Sequence, residues 1–217
     1  MSQHALPQPN TPVRELIPWG RVILTGGIAC GKSVVEAVLR DYGVPVLDTD
    51  AVVHALYQED AQLIGSIATL LGSHCVAANG TLDRVALAEA VTGAPDKLAA
   101  LEALVHPLVH GAIRAFWQQH ADSPVCVVSI PIYFEKGQVL KGDSVWVVAS
   151  DPAIQRERLM TYRGLSAQAA EARLALQWPI AQKIPLADVV IENNETLEAV
   201  RQQVAALVFP ASPVAPL

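Results

Sequence analysis

The feature that most constrains this 217-residue chain is an apolar run that breaks into glycines and ends in Gly31-Lys32-Ser33. Residues 26–33 match the pattern G-x-x-x-x-G-K-[ST], in which backbone N–H groups surround a phosphate at the start of a helix. Lys32 is predicted to reach the β- and γ-phosphates of a nucleotide, and the Ser33 hydroxyl to be a Mg²⁺ ligand. The alternative is a glycine-rich turn before an ordinary helix, which needs no lysine and hydroxyl in this order.

Further apolar runs outline the rest of the fold. Five continuous apolar stretches predict an α/β fold with a parallel sheet that is buried on both faces; they are residues 22–25, 44–47, 125–130, 145–149 and 187–191. Between the second and third strands, residues 51–122 have a helical pattern and are too long for a plain crossover. We therefore expect a helical substrate-binding insertion there. Pro107 lies inside its apolar stripe, so we expect a kink or break in that helix.

Acidic side chains follow two of the predicted strands. Asp48 and Asp50 come directly after the second strand, and Glu135 follows the third. Ligands of open parallel sheets bind beyond the carboxyl ends of the strands, so we expect all three near the phosphate loop. Asp50 is predicted to accept the proton of a substrate hydroxyl. Asp48 either assists through Mg²⁺-bound water or caps the next helix, which we expect to begin near Ala51. Glu135 either contacts substrate or Mg²⁺-bound water, or places its charge at the start of a short helix.

Arginines are dense in residues 153–183, which contain Arg156, Arg158, Arg163 and Arg173. In an acidic chain this density favours a lid that closes over transferring phosphoryl groups. The alternative is a solvated helix face on which Glu157 and Glu171 are the partners of the arginines.

Charge and composition exclude several classes of protein. The formal charge of −6 and the pI of about 5.4 argue against a surface for nucleic acid or anionic membrane. No apolar run is long enough for a membrane helix. We expect no signal peptide in the proline-rich N-terminal residues, which have no apolar h-region, and three cysteines at irregular spacing fit a reducing cytoplasm. We expect residues 1–19 to be a mobile extension and residues 209–217 a disordered tail.

These motifs together resemble those of the dephospho-coenzyme A kinases. The similarity runs from about residue 21 to residue 208 and rests on short motifs in the same order, at residues 24–28, 47–50, 79–84, 105–108, 131–135, 164–166, 177–183 and 187–193. The resemblance implies a three-layer P-loop fold like that of nucleoside monophosphate kinases. Its parts would be a five-stranded parallel core (residues 20–50, 123–152 and 184–208), a coenzyme-binding insertion (51–122) and a helical lid (153–183).

The resemblance also implies the reaction: transfer of the ATP γ-phosphoryl group to the ribose 3′-hydroxyl of dephospho-coenzyme A, with Mg²⁺. Lys32, Asp50 and Arg158 would be catalytic, with Asp50 as the base and Arg158 as the lid cation. Residues implied to bind ATP are Gly27, Ile28, Ala29, Cys30, Gly31, Lys32, Ser33, Val34, Arg158 and Asn193. Residues implied to bind the acceptor are Thr25, Asp48, Asp50, His106, Pro131 and Glu135. His106, a single histidine in a helix, also fits a packing role.

Three residues depart from the pattern of this family. Ala29 replaces the usual glycine, and a positive φ there would strain alanine by about 1 kcal/mol. Val34 replaces a usual threonine, and Arg163 stands one position late in the lid motif.

Two other functions fit the phosphate loop. A shikimate kinase-like enzyme also has an Asp-Thr-Asp, but wants a Gly-Gly-Gly turn where residues 131–133 read Pro-Ile-Tyr. A non-catalytic nucleotide-binding protein is the second alternative.

Cys30 lies inside the loop, where N–H groups and a helix N-terminus converge. One interpretation is a thiol with a lowered pKa that is open to alkylation; the other is a small residue that simply fits.

Overall fold

A computed structural model of the protein describes residues 18–137 and 140–209. The predicted extension and tail lie outside the described residues, except for their innermost positions. The indole N–H of Trp19 donates to the carbonyl oxygen of Leu207 at 2.7 Å, and the ring of Phe209 packs edge-on against Tyr42. The folded unit therefore extends by one residue beyond each predicted boundary.

Five parallel strands form one sheet in the order β2-β3-β1-β4-β5. The strands are β1 (Gly20–Gly26), β2 (Val46–Asp48), β3 (Val125–Ser129), β4 (Ser144–Ala149) and β5 (Val189–Glu192). Successive residues of a strand point to opposite faces, and Val22, Ile23 and Leu24 of β1 are all fully buried. Both faces of the sheet are therefore covered, which confirms the predicted five-stranded parallel α/β fold.

Helices connect and cover these strands. They are α1 (Lys32–Asp41), α2 (Thr49–Glu59), α3 (Ala61–Leu71), α4 (Arg84–Val91), α5 (Pro95–Gln119), α6 (Pro152–Arg163), α7 (Ala167–Leu174), α8 (Ile180–Lys183) and α9 (Leu197–Val208). Short 3₁₀ turns occupy Ser73–Cys75 and Ile184–Leu186. The apolar sides of α1 and α9 join the strands in the main hydrophobic core.

The helical insertion has a hydrophobic core of its own, formed by Leu63, Ile64, Ile67, Leu71, Cys75, Leu82, Leu87, Leu101 and Val105. Helix α5 spans both cores, because its residue Ile113 belongs to the core of the sheet. Of the predicted kink or break at Pro107, the break is wrong, since α5 runs without interruption from Pro95 to Gln119. A proline removes one backbone donor, and packing at both ends of the helix keeps the remaining turns in place.

Candidate active site

The phosphate loop joins the central strand β1 to α1, and two of its residues have left-handed backbone. Gly31 has φ 83°, and Ala29 has φ 58°, which makes Ala29 the one non-glycine residue with positive φ among those the structure describes. A Cβ atom at Gly31 would overlap Nδ2 of Asn193, and one at Gly27 would lie 2.7 Å from Nε2 of Gln155. Other side chains therefore pack tightly against the backbone of this loop, and the glycines make that packing possible.

The carbonyl oxygens of the loop are bound by donor side chains from the C-terminal half of the chain. Lys183 donates to Gly26 (3.2 Å), Gln155 to Ile28 (2.6 Å), Arg158 to Ala29 (3.2 Å) and Asn193 to Cys30 (2.9 Å). Each of these bonds fixes the orientation of a peptide group of the loop. Backbone N–H groups in the first turn of a helix have no intrahelical acceptor, so those of Lys32 and Ser33 are available to an anion.

Sequence reasoning missed Gln155 and Lys183 in this set. Both are buried, and Lys183 has no solvent exposure. Gln155 lies three residues before Arg158 on α6, so the two side chains share one face of that helix. That spacing was a usable signal, but a glutamine has no distinctive chemistry that would have singled it out.

Arg158 is fixed by several partners rather than projecting from a lid. Its guanidinium donates to the Ser150 hydroxyl at 2.9 Å and to the Asn193 carbonyl oxygen at 2.8 Å, besides the bond to Ala29. The Ser150 hydroxyl in turn donates to the Asn193 carbonyl oxygen at 2.7 Å. Arg158 and Asn193 thus lie against the loop and contact its carbonyl oxygens. A contact of Arg158 with phosphate stays a prediction.

The other arginines of residues 153–183 differ from Arg158 in their surroundings. Arg156 and Glu171 are both exposed and pair at 3.4 Å, which matches the interpretation of a solvated helix face. Arg163 is the exposed last residue of α6, followed by Gly164 in a left-handed conformation.

Lys32 is held by two groups beneath the loop. Its ammonium lies 2.7 Å from Oε1 of Glu36 and also donates to the Ser129 hydroxyl. Ser129 is the last residue of β3 and its hydroxyl donates to the same Glu36 oxygen at 2.6 Å. Glu36 and Ser129 are buried. Neither was singled out from the sequence, where Glu36 reads as one more polar residue of an amphipathic helix.

Asp48 and Asp50 take different positions at the end of β2. Asp48 caps α2, since its carboxylate accepts the backbone N–H of Asp50 at 3.0 Å. The helix begins at Thr49, not near Ala51 as predicted, so Asp50 lies in its first turn. The Thr49 hydroxyl donates to the Ser129 carbonyl oxygen at 2.8 Å. Ser129 therefore connects α2, which carries Asp50, to Lys32. Its carbonyl oxygen accepts from Thr49 on α2, and its hydroxyl contacts the Lys32 ammonium.

The environment of Asp50 suits a proton acceptor. Although the residue is exposed, surrounding protein atoms remove part of the water from its carboxyl group, and this raises its pKa above the usual 3.8. The carboxylate of Asp48 raises the pKa of Asp50 further, while the ammonium of Lys32 opposes the shift. An elevated pKa makes the ionised carboxylate a stronger base toward a hydroxyl proton.

Among the residues implied to bind the acceptor, Thr25 and Glu135 have other partners. Thr25 is fully buried and its hydroxyl donates to the Pro131 carbonyl oxygen at 3.2 Å, so it supports the segment after β3. A contact of Thr25 with the acceptor stays a prediction. Glu135 pairs with the ammonium of Lys183 at 2.6 Å and accepts the backbone N–H of Trp178. This ion pair is neither of the two roles that the sequence suggested for Glu135.

His106 and Cys30 also differ from one of their predicted roles. His106 is exposed on α5, with its ring stacked on His110 at 6.1 Å between centroids, so it is not a core packing residue. Cys30 is fully buried, and burial raises the pKa of its thiol above 9.0. Of the two interpretations of Cys30, the thiol with a lowered pKa is therefore wrong, and the small residue that fits beneath the loop agrees with its burial.

The residues present fit a nucleotide and Mg²⁺. The Ser33 hydroxyl is exposed and has no hydrogen-bond partner within the described part of the chain, so it is available to a metal ion. In residues 18–137 and 140–209 no three His, Cys, Asp or Glu side chains form a ready-made metal site. None of the helices in those ranges is both long and apolar enough to cross a bilayer.

Comparisons with known proteins identify the family of this chain. A family model described as dephospho-CoA kinase matches residues 21–199. A dephospho-CoA kinase from Symbiobacterium thermophilum is 40% identical over 185 residues, 84% of this chain and 77% of that protein. The crystal structure of TT1252 from Thermus thermophilus has a TM-score of 0.74 at 34% identity, covering 89% of this chain and 97% of that one. A dephospho-CoA kinase from Campylobacter jejuni has a TM-score of 0.58 at 25% identity, covering 86% and 94%. The chain belongs to the dephospho-CoA kinase family.

Proposed function

We propose that this protein transfers the γ-phosphoryl group of ATP to the ribose 3′-hydroxyl of dephospho-CoA, the last step of coenzyme A synthesis. It is an ATP-dependent kinase, a transferase with a hydroxyl acceptor. The observation that carries the proposal is the match of residues 21–199 to the dephospho-CoA kinase model. The phosphate loop, with Asp50 beside it, supplies the chemistry that the match requires.

The phosphate loop binds the donor. Backbone N–H groups of residues 27–33 surround the phosphates, and the side chains that hold the loop carbonyls keep these groups oriented. Lys32 neutralises charge on the β- and γ-phosphates. Ser33 would hold Mg²⁺, which would supply charge neutralisation at the phosphate oxygens.

Asp50 accepts the proton of the 3′-hydroxyl as the oxygen of that hydroxyl attacks the γ-phosphorus. The bond from the γ-phosphorus to the bridging oxygen breaks, and ADP leaves with that electron pair. Asp48 holds the first turn of α2, and so keeps Asp50 in place through its cap. His106 on α5 of the insertion and the segment around Pro131, which follows β3, are the candidate contacts for the acceptor.

A coupled assay of ADP formation tests this function. We expect turnover of MgATP to depend on dephospho-CoA, with little ADP formed when shikimate or no acceptor is supplied. Identification of coenzyme A by mass spectrometry completes the test. Tight ATP binding without turnover for any acceptor would instead favour a non-catalytic nucleotide-binding protein.

We infer a cytoplasmic location from the cysteines. Cys30, Cys75 and Cys126 are all buried free thiols, as is usual for a protein in a reducing compartment.

A further inference from the structure

Glu36 is a buried acid that the reaction does not use. It lies on α1, one turn after Lys32, and its side chain is 5% exposed. Oε1 receives both the Lys32 ammonium at 2.7 Å and the Ser129 hydroxyl at 2.6 Å. A buried carboxylate is costly unless it is paired, and Lys32 is the nearest cation to it.

The other cation near Glu36 is a weak substitute for Lys32. Arg40 lies 3.7 Å from Oε2 of Glu36, beyond hydrogen-bond distance, and its side chain is nearly half exposed. If Lys32 leaves Glu36, the carboxylate keeps only the Ser129 hydroxyl as a close partner. Departure of Lys32 therefore carries a free-energy cost.

A nucleotide has to meet that cost, because the loop lysine binds the β- and γ-phosphates. We propose that Glu36 competes with nucleotide phosphate for Lys32, so that it weakens the binding of ATP and ADP and speeds their release. Glu36 acts through Lys32 and is therefore a positioning residue, and Ser129 is its hydrogen-bond partner. The proposal rests on nucleotide binding at this loop and is independent of the acceptor.

Glu36→Gln tests the proposal, because glutamine keeps the shape of the side chain and removes its charge. Lys32 can then move to phosphate without leaving a buried charge behind. Because Lys32 then gives up only a neutral partner when it binds phosphate, we expect the Kd values for MgATP and MgADP to fall by about tenfold. Release of ADP in stopped-flow experiments should slow by a similar factor.

AMP provides the matched ligand control, since it has neither of the phosphates that Lys32 binds. We expect its Kd to change by less than about twofold in Glu36→Gln. Asp41→Asn is the matched variant. It removes one negative charge from the same helix, where Asp41 pairs with Arg201 at 2.7 Å, and we expect it to leave all three Kd values unchanged.

Calorimetric titration without acceptor separates this role from a structural one. Unchanged or weaker binding of ATP and ADP by a folded Glu36→Gln protein would overturn the proposal, as would an equal gain for AMP. Should Glu36→Gln fail to fold, Glu36→Asp repeats the test, because its shorter side chain withdraws the carboxylate from Lys32. For Glu36→Asp, a smaller gain in affinity for ATP and ADP, with no gain for AMP, supports the proposal. No gain in affinity for ATP and ADP overturns it. Failure of the dephospho-CoA assay would leave these binding results standing.

Discussion

The ammonium of Lys183 lies 2.6 Å from Oε1 of Glu135, in a position where Lys183 has no solvent exposure. The same ammonium donates to the carbonyl oxygen of Gly26, where β1 leads into the phosphate loop. Glu135 also accepts the backbone N–H of Trp178, in the connection between α7 and α8. One ion pair thus joins the segment after β3, the start of the loop and the region predicted to form the lid.

Breaking this pair should destabilise the protein strongly. Lys183→Met leaves the Glu135 carboxylate unpaired, and its Oε2 is already buried without a partner. We expect the free energy of unfolding to fall by about 3–5 kcal/mol, measured by urea denaturation. Lys183→Met/Glu135→Gln should be less destabilised than Lys183→Met alone, because no uncompensated charge remains. Strictly additive losses would show that the two residues are not coupled.

Asp50 should be the more important of the two acids for turnover. Asp50→Asn removes the proton acceptor, which typically lowers kcat by roughly 10²–10⁴, while ATP affinity stays nearly the same. Asp48→Asn should have a smaller effect, because asparagine caps a helix about as well as aspartate. Steady-state kinetics of both variants measure this difference. A larger loss for Asp48→Asn would reverse the assignment.

Asp50→Asn should also stabilise the fold at neutral pH. The pKa of Asp50 is raised in the folded protein, so the folded state binds its proton more tightly than the unfolded state does. At a pH above this raised pKa Asp50 is ionised, and its ionisation lowers the free energy of unfolding. We expect Asp50→Asn to raise Tm at pH 7, with the gain shrinking as the pH falls toward the ordinary value of 3.8. A lower Tm for Asp50→Asn at pH 7 would contradict this.

Two neighbouring loop positions should respond in opposite directions to exchanges of alanine and glycine. Ala29 has φ 58°, which costs an L-residue about 1 kcal/mol or more. Ala29→Gly should therefore maintain or raise stability by up to about 1 kcal/mol, offset in part by the freedom of glycine in the unfolded chain.

Gly31→Ala is the matched reverse exchange. Its φ is 83°, and the new Cβ would overlap Nδ2 of Asn193. We expect a loss of stability and of nucleotide affinity, both measured on the same preparations as Ala29→Gly. Equal losses in the two variants would show that Ala29 is not strained.

Sequence patterns predicted the features that depend on residues adjacent to one another in the chain. The sheet could be predicted because buried parallel strands read as unbroken apolar runs, and the loop because its glycines, lysine and serine are contiguous. The strain at Ala29 was predicted conditionally, and its positive φ confirms the condition. The start of α2 was misplaced although a cap at Asp48 was one of the interpretations, because the capping geometry that decides where a helix begins cannot be read from the residue type alone.

Contacts between distant segments could not be predicted in this way. Lys183 reaches Gly26, and Glu36 reaches Ser129, only once the sheet has brought their elements together. A lone lysine or glutamate in a helix reads as a surface residue, since charged residues are almost never fully buried unless they are paired. The sequence does not reveal which partner provides that pairing.

Arg158 should be irreplaceable by lysine. Its guanidinium donates to the Ser150 hydroxyl and to the carbonyl oxygens of Ala29 and Asn193, and a single ammonium cannot reproduce this planar set of donors. We expect Arg158→Lys to lower kcat/KM for ATP by roughly 10²–10³, in the coupled assay with dephospho-CoA. Arg156→Ala is the control, because its pair with Glu171 is exposed and such pairs contribute little. Arg163→Ala should also be mild. Full activity of Arg158→Lys would exclude both a phosphate contact and a need for this network.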